Sequence, residues 1–162
     1  MSTRIPALGP RGEGWVTAQF MLFLLIGGVG VMELGRAPWS TPVGLAAAAG
    51  GLAFIVLGLA FAIRAMVDLR EGLTPFPRPV EGAPLVVSSA YRRVRHPIYC
   101  GVLLAALGWA LLTTSLLVLG LTALLTVLLD LKSRREEAWL LQAYPEYEAY
   151  RARTRRFIPG IY

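Results

Sequence analysis

The chain has 162 residues, of which 56% are hydrophobic and 16% charged, with a formal net charge of +6. A soluble domain of this length cannot bury so much apolar surface, whereas a bilayer accepts it. The basic residues flank long apolar runs and do not gather on one polar face, which points to a membrane surface and against nucleic acid as the partner.

Residues 1–14 are rich in Gly and Pro and carry Arg4 and Arg11. The apolar run behind them is too long for the core of a cleaved signal peptide, so they read as a cytoplasmic tail before a retained helix. Trp15 to Leu34 forms that first run and spans about 30 Å as a helix, enough for a bilayer core. Its Gly27, Gly28 and Gly30 are expected to let a neighbouring helix approach closely. Gly35 to Pro42 reads as a turn, with Trp39 as an interfacial anchor. Val43 to Ile63 is the second run, small-residue-rich from Ala46 to Gly51 and closed by Arg64. Residues 64–97 read as a long cytoplasmic loop broken by Pro75, Pro77, Pro79 and Pro84, and loops of that length in compact proteins are often functional. Ile98 to Leu129 is apolar over about twice the length of one crossing. Thr113, Thr114 and Ser115 near its middle predict a helical hairpin across residues 98–130. Helix-forming residues after Asp130 carry the fourth helix beyond the membrane into a cytoplasmic segment, residues 131–162, until Pro145 ends or kinks it.

The fold class is therefore all-α: a polytopic membrane protein of about four transmembrane helices, forming one domain over residues 1–162, with a C-terminal helical hairpin that extends into the cytoplasm. Of the 16 basic residues only Arg36 falls in a loop on the opposite side. Four crossings put the other basic segments together, so the positive-inside rule places both termini in the cytoplasm. The lone Cys100 excludes an intramolecular disulfide and the lone His96 argues against a metal centre.

Two polar clusters meet at the cytoplasmic mouth. The first runs from Tyr91 through Arg95, His96 and Pro97 to Tyr99. Pro97 suits the first position of the third helix, whose N-terminal amides beside Arg95 and His96 can receive a carboxylate or phosphate. The second is Arg135, Glu136 and Glu137 on the extended fourth helix. His96 and Glu136 lie about 27 Å and about 33 Å of helix from Thr114, so the hairpin brings them to similar depth. A cationic pocket facing two carboxylates suits a zwitterion.

The stretch from Leu85 to Gly101, with Tyr91-Arg92-Arg93-Val94-Arg95-His96-Pro97-Ile98-Tyr99 at its heart, resembles the signature of the isoprenylcysteine carboxyl methyltransferase and phospholipid methyltransferase superfamily. So does the later Glu136-Glu137-Ala138-Trp139-Leu140-Leu141, followed by Tyr147, Tyr150, Arg151 and Arg156-Phe157-Ile158-Pro159. Gly72-Leu73-Thr74-Pro75-Phe76 is similar to bacterial members. The chain departs from the common pattern at Ser89-Ala90, at Arg93 and at the shortened Pro145-Glu146-Tyr147, and Lys132 stands near an Arg of the eukaryotic isoprenylcysteine enzymes.

The resemblance implies an enzyme that uses S-adenosylmethionine and methylates a lipophilic small molecule or lipid, either a carboxylate of an isoprenylcysteine-like molecule or a lipid amine. It implies a cofactor site among Tyr91, Arg95, His96, Pro97, Tyr99, Gly101, Glu136 and Glu137, and substrate contacts at Tyr150 and Arg151. Arg95 or His96 is expected to hold the methionine carboxylate, and Glu136 or Glu137 its ammonium or the ribose. Of the two acidic residues Glu137 is preferred. Tyr99 is expected to stack on adenine or face the sulfonium, with Tyr91 as a second candidate. The run Arg151, Arg153, Arg155 and Arg156 is read as a contact to anionic lipids of the bilayer. Two other readings stand beside this one. Membrane NADPH-dependent sterol-type reductases have a similar His-Pro-x-Tyr segment and an ending similar to Ile158-Pro159-Gly160-Ile161-Tyr162, and a non-enzymatic membrane protein would also explain the hydropathy.

Overall fold

A computed structural model describes residues 5–158. The readings that rest on Arg4 and on residues 159–162 lie outside the described residues. The described residues form four long helices and a short fifth: α1 (Glu13–Leu34), α2 (Pro42–Leu69), α3 (Pro97–Thr113), α4 (Leu116–Ala143) and α5 (Tyr147–Arg153). Three of them, α1, α2 and α4, are long and apolar enough to cross a membrane, and α3 is a shorter apolar helix between them. Their outward faces carry Leu24, Val31, Val43 and Leu116, all largely exposed, as lipid-facing side chains are. The protein is a polytopic all-α membrane protein.

Local chemistry sets the helix ends. Thr41 caps α2 by accepting from the Gly44 amide at 3.1 Å, with Pro42 at the first helical position. The hairpin turns where the threonines and serine predict: Thr114 is left-handed (φ 49°) and Ser115 caps α4 through the Val118 amide at 3.3 Å. Tyr144, held extended because Pro145 follows it, stops α4.

α2 runs past its expected end. It continues through Arg64 to Leu69, because Arg64 pairs with Asp68 one turn on (3.2 Å) and a charged pair of that spacing supports a helix. With 28 residues, α2 and α4 are each about 42 Å long, so both outrun a hydrocarbon core of about 30 Å. The segment between α2 and α3 keeps two single-turn helices, Arg70–Gly72 and Ser89–Arg92, on either side of the prolines.

α2 and α3 pack antiparallel along a seam of glycines seven residues apart. A Cβ on Gly51 would lie 2.6 Å from the Gly108 carbonyl oxygen, and one on Gly58 would lie 2.5 Å from that of Gly101. On the other side, Gly30 of α1 receives the indole of Trp109, which donates to the Ile26 carbonyl at 3.0 Å. Gly27 and Gly28, expected to serve close approach, face open space. No neighbouring group comes near enough at either position for the missing side chain to serve packing. α1 packs on α4 and α3 but shares no packed face with α2.

Candidate functional site

The polar end of α4 presents two faces. Lys132, Glu136 and Leu140, four residues apart, share one of them, and Leu129, Ser133 and Glu137 share the next. Adjacent helical residues point about 100° apart, so Glu136 and Glu137 cannot serve the same space.

The Glu137 face is closed from within the chain. Glu137 is 3% exposed, and its carboxylate accepts from Arg95 Nε at 2.8 Å and from two nitrogens of Arg156 at 3.1 and 3.2 Å. His96 Nε2 lies 3.3 Å from the same carboxylate. Arg95 also donates to the Thr154 carbonyl at 2.6 Å and the Arg151 carbonyl at 3.3 Å. The C-terminal segment then lies along the start of α3 as a parallel bridge: the Arg95 and His96 amides donate to the Arg155 and Arg156 carbonyls at 2.8 and 3.2 Å. The anion site expected from Arg95 and His96 at the α3 N-terminus is thus filled by the chain's own carboxylate and carbonyls. The preference for Glu137 over Glu136 as a ligand-facing group falls for the same reason.

The Glu136 face opens on a cavity of about 390 Å³, a size suited to a small molecule. Its walls come from α1 (Gln19, Phe20, Phe23), the end of α2, the proline-rich segment, the start of α3, α4 and α5. Glu136 accepts from Tyr99 Oη at 2.9 Å and lies 3.7 Å from His96 Nδ1. The Tyr99 and His96 rings stack at 5.4 Å, 3° apart. Tyr150 donates to the Tyr91 carbonyl at 2.6 Å. Tyr147 is 1% exposed and lines the cavity, and its Oη has no hydrogen-bond partner among the described residues. A buried hydroxyl left alone is uncommon and costly, and a ligand in the cavity can satisfy it. Burial, reinforced by Glu136 at Tyr91 and by Glu137 at Tyr147, pushes these phenols well above their ordinary value. Burial does the same to Tyr150, so all three stay protonated donors.

Of the residues singled out in the sequence, Tyr91, Arg95, His96, Tyr99, Glu136 and Tyr150 meet on this one cavity. Pro97, Gly101, Glu137 and Arg151 are not on its wall: Pro97 starts α3, Gly101 sits in the glycine seam, and Arg151 is half-exposed at 3.8 Å from Glu137. Arg156, read with the lipid-contacting run, instead spans Glu137 and Asp130 (3.1 and 3.2 Å) and is largely buried. Lys132, Gln19, Tyr144 and Tyr147 line the cavity and were not singled out as its residues. Two signals were there to be read. Lys132 stands one turn before Glu136, and Gln19 is a lone amide in an apolar crossing, where polar residues face the interior.

The phospholipid methyltransferase family (PEMT) matches residues 46–147, which run from α2 through the cavity-lining part of α4 to the start of α5. The chain is similar to the cobalt-zinc-cadmium resistance protein CzcN of Cupriavidus metallidurans, 40% identical over 78 residues, or 48% of this chain. The matched part spans 36% of the length of that relative. No solved structure matches.

Proposed function

The chain belongs to the phospholipid methyltransferase family, a family of membrane methyltransferases, and from that premise we propose that it transfers a methyl group from S-adenosylmethionine to a lipophilic acceptor held in the membrane. The observation that carries this reading is the Glu136 carboxylate on the wall of a largely apolar cavity, which the Tyr147 hydroxyl, without a partner among the described residues, also lines.

The residues present fit the cofactor. Glu136 would hold its ammonium or a ribose hydroxyl, since charge-assisted hydrogen bonds are the strong ones. Tyr147 would donate to it, and the faces of Tyr91 and Tyr99 would lie against adenine or the sulfonium. S-adenosylmethionine supplies, when bound, an electrophilic methyl on a cationic sulfur. The chain's own work is to align the acceptor with that methyl and to exclude water. Glu137 and Arg156 act behind the wall and, with Arg95 and His96 on it, tie the C-terminal segment to α3 and α4 so that Tyr99 and Glu136 keep their places.

The acceptor reaches the cavity sideways. Phe20 and Phe23 on α1 and Met66 and Leu69 on α2 line it where those two helices share no packed face. Its methylated group is a carboxylate or a lipid amine. The polar end lies in the cytoplasm, by the distribution of Lys and Arg. Exposed Arg151, Arg153 and Arg155 there meet anionic headgroups.

Thermal unfolding with S-adenosylhomocysteine and with NADPH tests the reading. The first should stabilise the protein by about 2.7 kcal/mol at a hundredfold excess over its dissociation constant, and NADPH should not. Glu136→Gln should weaken S-adenosylhomocysteine binding by roughly 1.5–3 kcal/mol, ten- to more than a hundredfold. A shift with NADPH alone sinks the methyltransferase reading in favour of a reductase.

A further inference from the structure

Much of the cavity wall at the polar end is one piece of chain. Residues 73–88 line the cavity with Leu73, Pro75, Phe76, Val80, Pro84 and Val86. Both ends of this segment are pinned to the last turns of α2. Arg70 follows the final residue of α2 directly. Ser89 accepts from Arg64 at 3.3 Å, and the Ala90 amide donates to Asp68 at 3.4 Å. Surface loops with their ends together are frequently functional. Arg70 and Ser89 are also the two non-glycine residues here with a positive φ, 47° and 54°. Such strained conformations gather at clamps and switches. Pro75, Pro77, Pro79 and Pro84 stiffen the stretch between them.

Single hydrogen bonds on backbone carbonyls hold the segment to the rest of the chain. Tyr144 Oη donates to the Ala83 carbonyl at 2.8 Å and Lys132 to the Pro75 carbonyl at 2.9 Å. The Arg78 amide donates to the Arg11 carbonyl at 3.4 Å, and the Arg11 guanidinium lies over the Phe76 ring. Among the described residues no ion pair ties 73–88 to another segment; Arg78 pairs within it, with Glu81. The C-terminal segment, in contrast, is tied by the buried pairs of Glu137 with Arg95 and Arg156. Breaking a buried pair costs several times as much as losing one ordinary hydrogen bond, so the proline-rich wall opens first. A second cavity of about 560 Å³ adjoins this wall, between residues 78–83 and the end of α4. Exposed Glu81, Gly82, Gln142 and Ala143 border it, so it meets water. Pro79, Val80, Ala83 and Tyr144 line both cavities, and the Tyr144–Ala83 hydrogen bond closes the partition between them.

We propose that residues 73–88 form a lid, hinged at Arg70 and Ser89 and latched by Tyr144, and that the second cavity is the passage by which a charged, water-soluble ligand enters. For the identity of that ligand the proposal rests on the methyltransferase reading. S-adenosylmethionine is a cation, and charge is costly in hydrocarbon, so the lipid-facing gap between α1 and α2 does not admit it. The lipophilic acceptor and the polar cofactor then use different doors, and the lid excludes water once the cofactor is in place.

Surface plasmon resonance on the full chain in nanodiscs reads how fast S-adenosylhomocysteine binds and leaves. Tyr144→Phe removes the latch and keeps the ring. Both rates should rise about fivefold, the effect of one ordinary hydrogen bond on the open population, with the dissociation constant within about twofold of the parent. A rise in the dissociation rate alone would make Tyr144 a ligand contact, and unchanged rates would make the wall a fixed one; either result overturns the proposal. The ligand-free protein gives a second reading. With Cys100→Ser and Val102→Cys the single thiol lies on the cavity wall. A charged methanethiosulfonate cannot reach it through lipid, so its rate of modification follows the open population. Tyr144→Phe should speed that modification about fivefold, and equal rates overturn the lid. If S-adenosylhomocysteine does not bind the parent chain, the methyltransferase reading falls, and the thiol rates still decide the lid.

Discussion

Between α2 and α3 backbone meets backbone, and the seam leaves no space for a single added methyl at Gly51, Gly58, Gly101 or Gly108. Between α1 and α2, at the polar end, the helices stand apart, and the gap holds the cavity. Lipid tails are as apolar as leucine, so no hydrophobic force draws transmembrane helices together. A side of the bundle closes where small residues let packing do it. It stays open where Phe20, Phe23 and Met66 hold the walls apart. One four-helix bundle thus provides both a rigid spine and a site.

That contrast can be broken from either side. The largest effect is expected at the seam. A Leu at position 101 would meet the Gly58 carbonyl and the Ala62 backbone, which cannot swing aside as a side chain can. A modest overpacking costs about 1–3 kcal/mol, and this one, four carbons against a backbone, should leave no folded, monodisperse protein. Gly27→Leu, facing open space, should unfold within about 0.5 kcal/mol of the parent. Equal behaviour of the two in thermal unfolding and size-exclusion chromatography would mean that the glycine seam does not close the bundle.

The next largest effect separates the two acidic residues. Glu137→Gln removes the carboxylate shared by Arg95, His96 and Arg156, and leaves the buried Arg95 without its carboxylate partner. It should cost about 3–5 kcal/mol of stability. Glu136→Gln should leave the unfolding midpoint nearly unchanged and act on ligand affinity. A reversal, with Glu136→Gln unfolding the chain and Glu137→Gln only weakening ligand, would exchange the roles of wall and framework.

The smallest effect is expected at Tyr147. Its Oη has no partner to lose among the described residues, so Tyr147→Phe should keep or slightly raise stability. S-adenosylhomocysteine affinity should fall by about 1 kcal/mol, the worth of one ordinary hydrogen bond. An unchanged affinity would mean that the hydroxyl serves no ligand.

Much of this was legible in the chain itself. Long apolar runs have one stable solution in a bilayer, so the crossings followed from composition. The hairpin followed from Thr113, Thr114 and Ser115 because they interrupt a run twice the length of one crossing. The meeting of Tyr91, His96, Tyr99 and Glu136 followed from counting turns on either side of that hairpin. The charge of Arg64 reads as a helix end in the sequence, but its pairing with Asp68 continues the helix. Gly27 and Gly28 misled because composition marks a residue as small without saying whether a neighbour faces it.

Helix periodicity and bilayer thickness are local constraints, so residue spacing alone determined the all-α bundle, the hairpin and the depth at which the polar residues gather. The division of labour within that layer depended on contacts between distant segments. Only the folded chain brings the segment after Thr154 onto the start of α3, where it takes up Arg95 and His96 and turns Glu137 into framework. Only the folded chain brings Gln19 and Pro75 to Lys132 on the cavity wall. Glu136 and Glu137 are neighbours with the same chemistry. The 100° between them on a helix, and what each side of that helix meets, decides which carboxylate holds the protein together and which one faces a ligand.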